Sequence, residues 1–188
     1  MKKLMFTALI FAVLISLFAA CVPEDTSGTH KFVEELLFEL KHPYIGAPPS
    51  DLLRLLGSPE GLESDGMVLH TANEPYGITL YYVCDNDTLP QYKSEKQINL
   101  QHNALIFLAL IDNCSFVEFA LQTESTYSQR GEIGDKQATV YRFDIAWADE
   151  AIGGKIKEAA DTLESFAAFY ANLSALPSNP VVPRESIE

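Results

Sequence analysis

The chain has 188 residues, with 13 Lys and Arg against 26 Asp and Glu, a formal charge of −13, and 47% hydrophobic residues. That length allows one domain with a sizeable core and leaves too little for two. So acidic a surface repels phosphate backbones and anionic headgroups, which sets nucleic-acid binding aside.

The first twenty residues carry the strongest signal. Lys2 and Lys3 precede an apolar run from Leu4 to Phe18, broken only by Thr7 and Ser16, and small Ala19 and Ala20 come before Cys21. This is the layout of a secretory signal, and the run is shorter than the roughly 20 residues a membrane-spanning helix needs. Phe18-Ala19-Ala20-Cys21 resembles a bacterial lipobox, with Phe where an aliphatic residue is usual. Cleavage before Cys21 and acylation of its sulfur are therefore expected. Two acyl chains, palmitate-like in length, at about 0.8 kcal/mol per buried methylene make a lasting anchor on the outer face of the cell membrane. Cutting 20 residues from 188 leaves 168, with 11 basic and 26 acidic side chains and a charge of −15. Residues 21–29 read as a short tether, 30–175 as a single domain, and 176–188, with three prolines and no period, as a disordered tail.

Within the domain, Phe32, Leu36, Leu37 and Leu40 fall at helical spacing, and Leu52, Leu53, Leu55 and Leu56 predict a second short helix, capped by Ser50 and ended by Gly57. Met67–Thr71 and Ile78–Cys84 predict strands joined through a turn with Pro75 and Gly77. Both faces of the second strand are apolar, as a central strand requires. Asn103–Asn113 encloses an all-round apolar helix too short to cross a membrane. Phe116–Leu121 and Val140–Ala146 predict two more strands, the last with Val140, Arg142 and Asp144 toward water. Trp147–Ile152 reads as a turn of helix, and Gly154–Leu173 as the closing helix. The order helix-helix-strand-strand-helix-strand-strand-helix predicts an α/β chain of the α+β sandwich kind, with about four mixed strands and helices mainly on one face. If strands two and three are parallel, their link is a right-handed crossover.

Five stretches carry a family resemblance: Lys-His-Pro-Tyr-Ile-Gly (41–46), Leu-Gly-Ser-Pro-Glu-Gly (56–61), Glu-Pro-Tyr-Gly-Ile-Thr-Leu-Tyr-Tyr (74–82), Asn-Ala-Leu-Ile-Phe-Leu-Ala-Leu-Ile-Asp-Asn (103–113) and Trp-Ala-Asp-Glu-Ala-Ile-Gly (147–153). In this order they resemble the landmarks of the family called domain of unknown function 4825, over roughly residues 38–160. The resemblance implies a Firmicute-type lipoprotein, or company with antirepressor-type membrane peptidases that sense cell-wall antibiotics. It brings no activity and no catalytic residue. The landmarks also suit fold-making bends, a hairpin and a buried helix.

The sequence holds no His-Glu-x-x-His, Gly-x-Ser-x-Gly, phosphate-loop, Ser-x-x-Lys or Cys-x-x-Cys pattern, so no cofactor or metal is called for. His30, His42, His70 and His102 lack a second ligand at helical offset. Asp85-Asn86-Asp87 opens like a calcium loop but meets Leu89, Pro90 and Lys96 where the loop needs a ligand, Gly and Glu. Cys84 and Cys114 can form a disulfide if strands two and three are antiparallel or the helix returns the chain; in a parallel crossover they stay free. Two functions follow. One is a non-catalytic, membrane-tethered binding or sensing module for an envelope partner such as a sensor or membrane peptidase, with Tyr44, Tyr76, Tyr81 and Tyr82 as its ligand groove. The other is a cell-wall enzyme using two carboxylates from Asp85, Asp87, Asp135 and Asp144, which must stand about 5 to 10 Å apart.

Overall fold

A computed structural model describes residues 31–47, 49–124 and 138–185. The signal, Cys21, the tether, His30 and Asp135 lie outside the described residues. Contacts divide the chain between Lys31 and Phe32, and the unit beginning at Phe32 holds the fold.

In chain order this unit contains helices α1 (Val33–Phe38) and α2 (Pro49–Leu56), strands β1 (Glu63–His70) and β2 (Gly77–Val83), helices α3 (Leu89–Tyr92) and α4 (Gln97–Leu110), strands β3 (Phe116–Gln122) and β4 (Thr139–Asp144), helix α5 (Ile145–Ile152), a 3-10 turn at Glu158–Ala160, helix α6 (Leu163–Asn172), a second 3-10 turn at Leu173–Ala175, and the two-residue strand β5 (Arg184–Glu185). The predicted order is present, so the chain is α+β. The five strands lie in chain order across one mixed sheet. β2 and β3 are parallel, with α3 and α4 between them in the chain, and every other neighbouring pair is antiparallel.

One sheet face builds the core. Ile78, Leu80 and Tyr82 of β2, Val117, Phe119 and Leu121 of β3, and Tyr141 and Phe143 of β4 are buried in one cluster with Leu37, Leu52, Phe107, Phe166 and Leu173 from the helical layer. Alternation along a strand puts every second residue here, and matched registers bring Leu80, Phe119 and Tyr141 side by side. α4 starts six residues before the expected Asn103, and ten of its 14 residues are buried, because the sheet, α5 and the turn at Glu158–Ala160 all pack on it. Its C-terminal carbonyls lie out of water, and the ammonium of Lys157 satisfies them, donating to Leu108 O and Ile111 O at 2.6 Å and to Cys114 O at 2.9 Å.

Two boundaries and the facing of one residue differ from expectation for local reasons. β4 ends at Asp144 because that carboxylate turns to cap α5, accepting from Trp147 N at 2.9 Å, and Gly153 ends α5 in the left-handed region at φ 67°. The closing helix splits because Thr162 adopts an extended conformation and forms a capping box with Ser165. Val140 is buried against Ala120, Ala138 and Tyr81 and pairs with β5, so only Asp144 of the even-numbered set is fully exposed.

The segment from Leu176, expected to be disordered, is tied to the domain through Glu185. Two nearly inaccessible glutamines on α4 hold its backbone: Gln97 donates to Val181 O at 3.0 Å and accepts from Val181 N at 2.7 Å, while Gln101 accepts from Asn179 N at 3.2 Å. The Trp147 indole donates to Asn179 O at 2.9 Å. A buried amide must find both a donor and an acceptor, and an extended Pro-rich segment offers both.

Candidate functional site

Alternation places Thr79 of β2, Glu118 of β3 and Arg142 of β4 on the sheet face opposite the helices, and the registers Thr79–Glu118 and Glu118–Arg142 make them direct neighbours. Thr79 and Glu118 are 4% and 6% exposed. The Thr79 hydroxyl donates to Glu118 Oε2 at 2.8 Å, so its oxygen is left to accept from His70 Nε2 at 2.8 Å. Glu118 Oε1 accepts from Arg142 at 2.9 Å and from Arg184, on β5. Both carboxylate oxygens are engaged, which is what a charge buried on a strand requires.

Phe116 sits at the edge of this row. The Arg142 guanidinium lies 3.6 Å from its ring centroid and the His70 ring 5.4 Å away. A side chain at Gly77 would come within 2.5 Å of the Phe116 ring, so β2 must begin with glycine for Phe116 to lie there. The turn after β1 borders these groups around an open hollow of about 540 Å³, lined by Leu69, His70, Ala72, Pro75, Phe116 and Arg142 among others. That volume falls within the usual range for small-molecule sites.

The predicted tyrosine groove does not assemble. Tyr82 is buried in the core and Tyr81, its chain neighbour, points to the opposite face, as strand alternation demands. Tyr44 is 65% exposed on a bend fastened to the end of α4, where Asn113 Oδ1 accepts from Ile45 N at 2.8 Å. Tyr76 is half-buried, and its carbonyl accepts from Ser115 N at 2.8 Å. None of the four tyrosines is among the residues lining the hollow, although Pro75, next to Tyr76, is.

The disulfide is not formed. Cys84 follows the end of β2 and Cys114 precedes the start of β3, so the parallel pairing holds them at opposite ends of the sheet, both free and buried. Burial pushes the Cys114 thiol up to about 11. Of the acids named for a catalytic pair, Asp85 and Asp144 act as local caps. Asp85 Oδ1 accepts from Asp87 N at 3.0 Å and Thr88 N at 2.6 Å, and hydrogen bonds from Thr88 hold its carboxyl below the usual range. It stands at the Gln122 end of β3, whereas the capping Asp144 stands at the Phe116 end, about 20 Å away for seven strand residues. Among the described residues no cluster of three His, Cys, Asp or Glu could hold a metal, and no helix is long and apolar enough to cross a membrane.

The row from His70 to Arg184 leaves only a trace in the sequence. Phe-Val-Glu-Phe-Ala-Leu-Gln carries one carboxylate in an otherwise apolar strand, and a buried Glu needs a cation opposite it.

The family model for the domain of unknown function DUF4825 matches residues 37–132. The chain belongs to this family. No curated protein and no solved structure matches it. The DUF4825 match takes in α2, α4, β1 to β3 and the residues His70, Thr79, Phe116 and Glu118, and it ends before Arg142, Arg184 and the Trp147–Gly153 landmark.

Proposed function

We propose that this DUF4825 protein is a lipoprotein held on the outer face of the cell membrane through Cys21, and that its domain binds an envelope component, a sensor or membrane peptidase being the expected kind of partner, without catalysing a reaction. One observation carries the binding part: the buried carboxylate of Glu118 is fixed by Thr79, Arg142 and Arg184, while Arg142, among the described residues, keeps N–H donors free at the surface. Thr79 holds one oxygen of Glu118, and Arg142 and Arg184 hold the other, so the carboxylate serves as the fixed centre of the row. Such a row holds its neighbours still, which is what a recognition surface needs.

The anchor rests on the charged start, the apolar run and Phe18-Ala19-Ala20-Cys21. Mass spectrometry of the native N-terminus tests it: the expected terminus is Cys21 bearing two acyl chains, and Cys21→Ala is expected to leave the membrane fraction. An unmodified terminus on protein recovered wholly from the medium would overturn the anchor.

A further inference from the structure

We infer that the hollow beside Phe116 is a binding site for a monocarboxylate carried next to a small apolar group, with Arg142 as its anchor. The inference rests on the reading of the domain as a binding module and names the chemistry of its ligand.

Arg142 is held on two sides. One nitrogen is fixed by Glu118 at 2.9 Å, and the guanidinium is seated 3.6 Å from the centroid of the Phe116 ring, itself lodged against Gly77. Its other N–H donors have no partner among the described residues, and its side chain remains 37% exposed at the hollow. A guanidinium with one face covered is open to a ligand at its edge, and edge-on approach suits the planar, two-oxygen geometry of a carboxylate. Charge points the same way. Arg142 is the one Lys or Arg among the described residues lining the hollow, on a chain of net charge −13 whose Asp144 stands opposite Phe116. The local cation draws a single negative charge, whereas the surrounding acidic field works against a phosphate dianion. Leu69, Ala72 and Pro75 line the rest of the hollow and suit an apolar substituent.

The test uses the full chain in detergent, labelled with 15N-arginine and titrated with N-acetyl-leucine, N-acetyl-leucinamide and inorganic phosphate. A saturable shift of the Arg142 side-chain resonance is expected with N-acetyl-leucine and none with the other two. With affinity for N-acetyl-leucine read by titration calorimetry, Arg142→Lys should weaken binding about ten-fold or more, because an ammonium cannot reproduce the paired contact. Arg184→Gln should stay within about two-fold, since it leaves the Arg142–Glu118 pair in place. If Arg142→Lys does not fold, Phe116→Leu, which removes the ring under the guanidinium, should weaken binding several-fold. An equal response to the neutral amide, a saturable response to phosphate at the same concentration, no response to any probe, or full-strength binding by folded Arg142→Lys or Phe116→Leu would each overturn the assignment. The broader reading of a binding module fails separately, through the in-cell crosslinking described below.

Discussion

The two faces of the sheet are made from the same strands and follow opposite rules. On the helix side, Leu80, Phe119 and Tyr141 line up across β2, β3 and β4 within the hydrophobic core. One residue along each strand, Thr79, Glu118 and Arg142 line up on the other side and exchange hydrogen bonds. The first face gains from area removed from water, and the second from pairing charges that would be costly alone. Only the second leaves a fixed, partly exposed charge at the surface, so the difference between the faces divides stability from recognition.

Breaking each face should cost differently. Phe119→Ala removes a fully buried ring at the centre of the dry face and should lower unfolding free energy by about 3–5 kcal/mol, read from urea melts. Glu118→Ala leaves Thr79 and two arginines without their acceptor. The loss should be smaller, about 2–3 kcal/mol, because Arg142 and Arg184 are 37% and 63% exposed and can turn to water. The same variant should also lose the response to N-acetyl-leucine.

Alkaline pH sharpens the comparison through the dry interior. Burial raises Tyr82, Tyr92 and Tyr141 to about 12 from the ordinary 10, and Cys114 to about 11 from 9. The folded chain therefore keeps these protons where the unfolded chain has lost them, so their contribution is intact below about pH 9 and lost progressively to about pH 12. Burial lowers Lys157 to about 8, which works the other way up to its ordinary 10.5, so the net fall should be steepest above about pH 10. Melts recorded across that window check the sign, and phenolate absorbance should show these three tyrosines ionising last. The smallest effect belongs to the Tyr141 hydroxyl, which is buried without a partner among the described residues. Tyr141→Phe should be neutral or stabilising by up to about 1 kcal/mol, since no hydrogen bond is lost and a polar group no longer needs desolvating.

Much of the dry face was legible beforehand. Alternation in Ile78–Cys84 and the apolar run at Asn103–Asn113 identify β2 and α4 because hydrophobic burial leaves a periodic trace. The wet face left only single letters. Glu118 and Arg142 are 24 residues apart, and nothing local says that β3 and β4 pair with these two in register. The tyrosines misled for a related reason: a ring suits a groove and a core equally, and only the strand pairing decides that Tyr82 enters the core. The tail misled through composition. Its prolines forbid a helix, which reads as disorder, but Gln97 and Gln101, more than 70 residues earlier, supply the partners that hold it.

The account turns on the wet face being the one that meets another molecule. A photo-crosslinking residue placed at exposed Asn73, beside the hollow, can be compared in living cells with one at exposed Glu158 in the helical layer. A discrete envelope adduct is predicted from Asn73 and none from Glu158. Adducts from Glu158 alone, or none above background from Asn73, would contradict it.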